Sequence, residues 1–449
     1  MTKSQLKLSI KRGHGRSFTF LSNAENLTDY RDIVLWGCLN AFAYDQQVEC
    51  TRARYLYELT SFFDEDAYFV PSILDALQAL PPDVDDKYAH FCELLTLFAQ
   101  KGSQKEIKEA LLRKYAELFQ VLFGMDEHEE YPLLELACFE HVAVALVRIG
   151  TEEELWRIIY DIGKLLQIED TYIYTLDDFE FFYDTIEMRF PSIEQMLERE
   201  ASKDTRARSF YHSYMFKKQF KERLKEKPKA PPSMPITAEN LLDELQSRGE
   251  FTIRSYNRFL RESSDEERLK LAHALIQEAD AKKRIRLLEM FKRKGFPLDG
   301  SYLIKYLADY EGLNREIIFK VMKKTKSDAL RSYAVSMIKQ KRELETALII
   351  LIKNYHEENE NLLLRSLTEI YDERDTDTHE IECALLDAFE IGVPLPHKLL
   401  LFVYEATLCS HCRERAVCAL GARALLTDDI ITECLHDSRT EIREYVRAY

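Results

Sequence analysis

Apolar residues fall three and four positions apart over most of the chain. From Tyr30 they occur at Ile33, Val34, Gly37, Cys38, Ala41 and Phe42, which lays one stripe along a helix and does not fit the two-residue period of a strand. The same rhythm at Tyr55, Leu56, Leu59, Phe62 and Phe63, then at Phe69, Val70, Ile73, Leu74, Leu77 and Leu80, predicts two more helices. Pro71 lies near the start of the second, where its missing N–H costs nothing. Further helices are predicted over 88–100, 105–123, 132–149 and 152–166. They are separated by the polar breaks ALPPDVDD, QKGSQ, GMDEHEE and IGTEEE, whose acidic ends suit the positive end of the next helix dipole.

Residues 170–190 are dense in aromatics: Tyr172, Tyr174, Phe179, Phe181, Phe182, Tyr183 and Phe190. They are expected as interior packing, with Asp177, Asp178, Glu180 and Asp184 facing solvent. Pro228, Pro231, Pro232 and Pro235 cannot sit inside a helix and predict an extended linker. Beyond it, helices are predicted over 238–248, 265–279, 281–295, 301–309, 314–324, 327–339, 343–355, 359–371, 378–392, 396–408, 412–426, 429–436 and 440–449. Helix pairs of this kind recur at about 30 to 35 residues, each too short to bury its own apolar face, the signature of an α-solenoid. With 13 glycines and 12 prolines in 449 residues, the chain is poor in hairpin turn chemistry, and the expected class is all-α.

The expected organisation is an N-terminal arm over 1–28 with a short β-like hairpin (LKLSI and SFTFL), a helical lobe over 29–225, a Pro/Lys-rich linker over 226–237 and a second lobe over 238–449. Between the two β-like pieces, KRGHGRS reads as a flexible loop. It lacks the spacing of a P-loop, although Lys11, Arg12 and Arg16 flank backbone that could wrap an anion.

The closing stretch HDSRTEIREYVRAY carries Asp437, Ile442 and Arg443 in the order D-x-x-x-x-[VI]-R, followed by Val446. CRERAVCAL carries Cys412, Arg413, Ala416, Ala419 and Leu420 in the pattern V-R-x-x-A-x-x-A-L, with cysteine at the first apolar position. A fainter version, KSDALRSYAVSMI, has Asp328, Arg331 and Ala334 with its spacing off by two residues. These stretches resemble HEAT repeats, most clearly over the last 40 or so residues and only in helix rhythm before residue 200. The resemblance implies a right-handed superhelix of helix pairs, with Arg413, Asp437 and Arg443 as rungs of a structural ladder. Such arrays mostly serve as protein-binding scaffolds, and a few bacterial ones are DNA glycosylases, so the resemblance bears on fold more than on activity.

A formal net charge of −16 argues against a generic polyanion binder. The charge is uneven: residues 1–200 are strongly acidic, whereas 201–229 carry ten basic and three acidic side chains. This basic island places Arg206, Arg208, Lys217, Lys218, Lys221, Arg223 and Lys225 among Phe210, Tyr211, Tyr214, Phe216 and Phe220. Such interleaving suits nucleic acid, an acidic protein partner, or a plain helix whose cations face water or dock on the acidic first half, and this last reading, a solvated or self-docked face, is favoured.

Nine cysteines, odd in number and scattered through apolar patterns, suit a reducing cytoplasm, here of bacterial type. The amino terminus lacks an apolar signal core, and no uncharged apolar run approaches 18 residues, so neither export nor a membrane span is expected. Cys409-x-x-Cys412, with His411, Cys418, Cys434 and His436, offers zinc ligands on paper. On a helix, however, Cys412 and Cys418 are separated by about 600° of rotation and diverge. The expectation is no metal, no cofactor and, without a G-x-S-x-G, H-E-x-x-H or nucleophilic-cysteine signature, no catalytic site. The functional expectation is a non-catalytic scaffold offering a concave helical surface to a protein. The alternative is a nucleic-acid-binding HEAT-like protein, possibly a base-excision enzyme.

Overall fold

A computed structural model describes residues 1–124, 133–167, 179–226, 236–373 and 378–449. Every regular element among these residues is a helix, and none is long and apolar enough to cross a membrane. Several expected elements recur almost unchanged, among them Ala238–Arg248, Glu152–Leu165 and Thr440–Ala448. Capping explains the sharp starts: Thr151 and Thr237 each close a capping box on the third helical residue, and three glutamates fill the first turn after Thr151.

The expected β-like hairpin is replaced by two helices, Lys3–Arg12 and Arg16–Ser22. The alternation Leu6, Leu8, Ile10 suggests a strand, but Leu6 and Ile10 are buried while Leu8 is 43% exposed. The working spacing is therefore four, one helical turn. Thr2 forms a capping box with Gln5 at the start. Gly13 stops the helix in the left-handed region at φ 77°, its N–H donating to the Ile10 carbonyl.

The chain forms two compact units. One comprises Met1–Pro228, Leu408–His411 and Leu426–Tyr449; the other comprises Lys229–Thr407 and Cys412–Leu425. In contrast to two consecutive lobes, the closing helices Asp428–Cys434 and Thr440–Ala448 belong with the first unit. Most of the expected linker, 227–235, lies outside the described residues.

Helices in the first unit pack on their next-but-one neighbours, in the series Lys3–Arg12, Arg31–Cys38, Ala53–Thr60, Asp85–Phe98, Leu133–Ile149 and Glu180–Arg189. Their shared core includes Tyr55, Phe69, Phe91, Phe98, Phe139 and Phe182. The expected aromatic packing is divided: Phe179, Phe182 and Tyr183 are buried, Phe181 is exposed, and Tyr172, Tyr174, Asp177 and Asp178 lie outside the described residues.

KRGHGRS is held against the chain's last residues rather than left as a free loop. Ser438 N–H donates to the Gly13 carbonyl at 2.9 Å, Arg16 pairs with Glu433 at 2.8 Å, and Phe18 stacks on His436 with centroids 5.1 Å apart. At Gly15 a Cβ would come within 1.7 Å of the Glu433 carbonyl oxygen, a backbone atom that cannot swing away. Gly15→Ala is expected to cost about 2 kcal/mol through overpacking. Hydrogen exchange over 428–448 should accelerate; unchanged protection there would contradict this contact.

The second unit repeats a bracket between successive helix pairs. Arg268 Nη2 donates to the Gly295 carbonyl at 2.8 Å, Phe296 N–H to Thr325 Oγ1 at 2.8 Å, Gly300 N–H to Ser327 Oγ at 3.0 Å, and Ser327 N–H to Asn354 Oδ1 at 2.7 Å. The partners are 27 to 29 residues apart, tighter than the spacing anticipated from helix lengths. Gly295 lets its turn approach the next pair: its φ is 76°, and a Cβ would sit 2.3 Å from the Lys324 carbonyl oxygen.

Candidate functional site

The basic island lies on the helix Thr205–Glu226, and most of its cations already face carboxylates of the same unit. Lys221 is 3.0 Å from Asp184 and 3.2 Å from Glu180, buried Lys217 is 3.7 Å from Glu180, and Lys218 pairs with Glu194. Arg206 pairs with Asp204 at 2.7 Å and lies over the Tyr160 ring, while Arg208 donates to the Ala201 carbonyl. Arg223 is exposed, and the side chain of Lys225 lies outside the described residues. The island is therefore largely neutralised within its own unit.

Of the three ladder residues, Arg413 is fully buried in the second unit, whereas Asp437 and Arg443 meet in the first. Arg443 Nε donates to the Asp437 carbonyl and Nη1 reaches Glu58 Oε2 at 3.1 Å; Asp437 Oδ1 accepts from Arg439 N–H at 3.0 Å.

A different basic surface occurs on Ile253–Glu262, a helix that the apolar pattern did not indicate. Its buried anchors are Phe259 and Leu260 alone. Arg254, Asn257, Arg258 and Arg261 fall at i, i+3, i+4 and i+7 on the other face. With Arg293, Ile253 and a single carboxylate, Glu262, they line an open groove of about 700 Å³. Arg258 is tied to Glu262 at 3.1 Å. Arg254, Arg261 and Arg293 are exposed and have no ion-pair partner among the described residues. Three available guanidinium groups suit carboxylates or phosphates, which accept their paired N–H donors.

The cysteines that offered zinc ligands on paper are divided: Cys409 and Cys434 belong to the first unit, Cys412 and Cys418 to the second. Instead, Cys412 meets two residues of the helix His379–Glu390. Its Sγ lies 3.8 Å from Cys383 Sγ and 3.5 Å from His379 Nδ1, and Cys383 Sγ lies 3.5 Å from His379 Nε2. His379 and Cys383 are one turn apart, so both point to the same side. The hydrogen bond with Cys412, aided by the nearby His379 and Arg415, overcomes burial and draws the Cys383 thiol down to about 7.

Two braces hold the helices that carry Cys383 and Cys412 in register. Below the thiols, buried Glu382 accepts from Tyr371 Oη at 2.7 Å, from Thr378 Oγ1 at 3.1 Å and from Thr407 Oγ1. Above them, Arg415 lies 2.7 Å from Asp387 and 2.8 Å from Glu390. The cysteines are 29 residues apart, which is the bracket spacing of this unit and far from the spacing of a local metal motif.

No family model matches the chain, and no curated protein and no solved structure matches it.

Proposed function

We propose that the chain is a non-catalytic interaction scaffold, an α-solenoid of HEAT-like helix pairs, whose arginine groove receives an acidic segment of a protein partner. The groove on Ile253–Glu262 carries this reading: its free guanidinium groups converge on one face, with exposed Ile253 as an apolar anchor beside them. The regular bracketing of the second unit supports it, since a stack of pinned helix pairs offers a preorganised surface that loses little entropy on binding. A local basic groove on a chain of net charge −16 also orients an acidic segment, because the rest of the surface repels it.

The test is binding of a labelled oligo-glutamate peptide and of a duplex DNA at physiological salt. Peptide binding is expected, weakened at least about tenfold in Arg254→Glu/Arg261→Glu. Binding of DNA with none of peptide, or of neither, would overturn the reading.

A further inference from the structure

We propose that His379, Cys383 and Cys412 form a zinc site of Cys2His type, with the fourth position open to water or an added thiol. This proposal is independent of the arginine groove.

The geometry carries the argument. A tetrahedral zinc with Zn–S of about 2.3 Å and Zn–N of about 2.0 Å separates its two sulfurs by about 3.8 Å and each sulfur from the nitrogen by about 3.5 Å. Cys383 and Cys412 stand 3.8 Å apart, and each sulfur lies 3.5 Å from a ring nitrogen of His379. The thiols face opposite nitrogens of the ring, so an ion bound to one nitrogen requires the imidazole or one thiol to turn. All three ligand atoms already lie within 4.8 Å of one another, so the longest sulfur–nitrogen separation exceeds the tetrahedral value by no more than about 1.3 Å.

The surroundings are those of a supported site. Glu382 ties its helix to Thr407, and Arg415 ties the Cys412 helix to Asp387 and Glu390, so the sulfur–sulfur distance is set from both sides. Cys412 is fully buried while His379 and Cys383 are partly exposed, which leaves an entry path. Two thiols and an imidazole form a soft donor set that favours zinc over calcium or magnesium. On binding, each thiol gives up its proton to solvent and its sulfur bonds the metal as thiolate. Neutral His379 contributes a nitrogen lone pair. The two thiolate charges balance the dication, and up to two protons are released per zinc.

The experiment uses the reduced full-length chain, with zinc measured by competition against a chromophoric chelator and cobalt substituted as a spectroscopic probe. One zinc per chain with an affinity tighter than micromolar is expected, with proton release and a thiolate-to-cobalt charge-transfer band. Cys383→Ser, at a partly exposed position, should keep its helical circular dichroism while losing at least about 100-fold in zinc affinity and part of that band. His379→Asn should weaken binding and leave the band. Absence of stoichiometric zinc binding by the reduced chain would overturn the proposal, as would undiminished binding by Cys383→Ser.

Discussion

Replacing Lys114 with alanine is expected to destabilise the first unit by about 4 kcal/mol, among the most damaging single changes in the chain. Lys114 is fully buried, and its ammonium donates to the Leu80 carbonyl at 2.8 Å, the Gln78 carbonyl at 3.2 Å and Glu117 at 2.9 Å. Gln78 ends the helix Asp66–Gln78, whose last turn lacks intrahelical donors for its carbonyls, and Leu80 lies just beyond it. Gln78 in turn donates to the Ala110 carbonyl at 3.0 Å, so the two helices are cross-tied. Alanine takes the ammonium from the Gln78 carbonyl, leaves the Leu80 carbonyl only Tyr88 Oη at 3.2 Å, and opens a cavity, whereas Lys114→Met fills the space and should cost about half as much. Urea denaturation measures both; a loss below about 1 kcal/mol for Lys114→Ala would show that water replaces the ammonium.

Acid is expected to remove about 3 kcal/mol of stability through His90 alone. Burial holds this imidazole down to about 4, against an ordinary value of 6.5. Its Nε2 donates to the Cys38 carbonyl at 2.9 Å, and Nδ1 is buried without a partner among the described residues. Protonation would therefore place a charge in an apolar core beside Phe91. As pH falls below 6.5 the unfolded chain takes up the proton first and the native chain does not. The contribution of His90 is thus complete above pH 6.5 and declines by about 1.4 kcal/mol per unit down to about pH 4. His90→Gln keeps a donor for Cys38 without titrating, so the stability difference between this variant and the native chain should change by that slope. A difference independent of pH between 7 and 4 would contradict the assignment.

These two groups show what the sequence leaves unread. Helix rhythm is legible because amphipathicity and capping are local: the predicted 238–248 coincides with Ala238–Arg248 since Thr237 caps it and Leu241 and Leu245 fix its face. Lys114 and His90, by contrast, read as ordinary polar residues, and only partners 34 and 52 positions away reveal their burial. LKLSI misled because three alternating apolar residues fit a strand as well as they fit a helix with one exposed leucine. Ile253–Glu262 escaped because its apolar face is thin, and with it the arginine groove. The Cys383–Cys412 pairing was hidden for a third reason: its spacing belongs to the stacking of helix pairs, and a search for closely spaced ligands does not reach across 29 residues. The basic island was different again, since the acidic excess before residue 200 already pointed to its neutralisation.

The central claim is that the chain works by holding an acidic protein segment in the arginine groove. The most direct measurement is quantitative co-purification of the chain from its own cells at native abundance, with nuclease present, beside the variant Arg254→Glu/Arg261→Glu. The account predicts a protein partner in stoichiometric amount with the native chain, its acidic segment cross-linking to residues 253–262, and at least about a tenfold loss with the variant. A partner retained in full by the variant, or nucleic acid recovered in place of protein when nuclease is omitted, would contradict it.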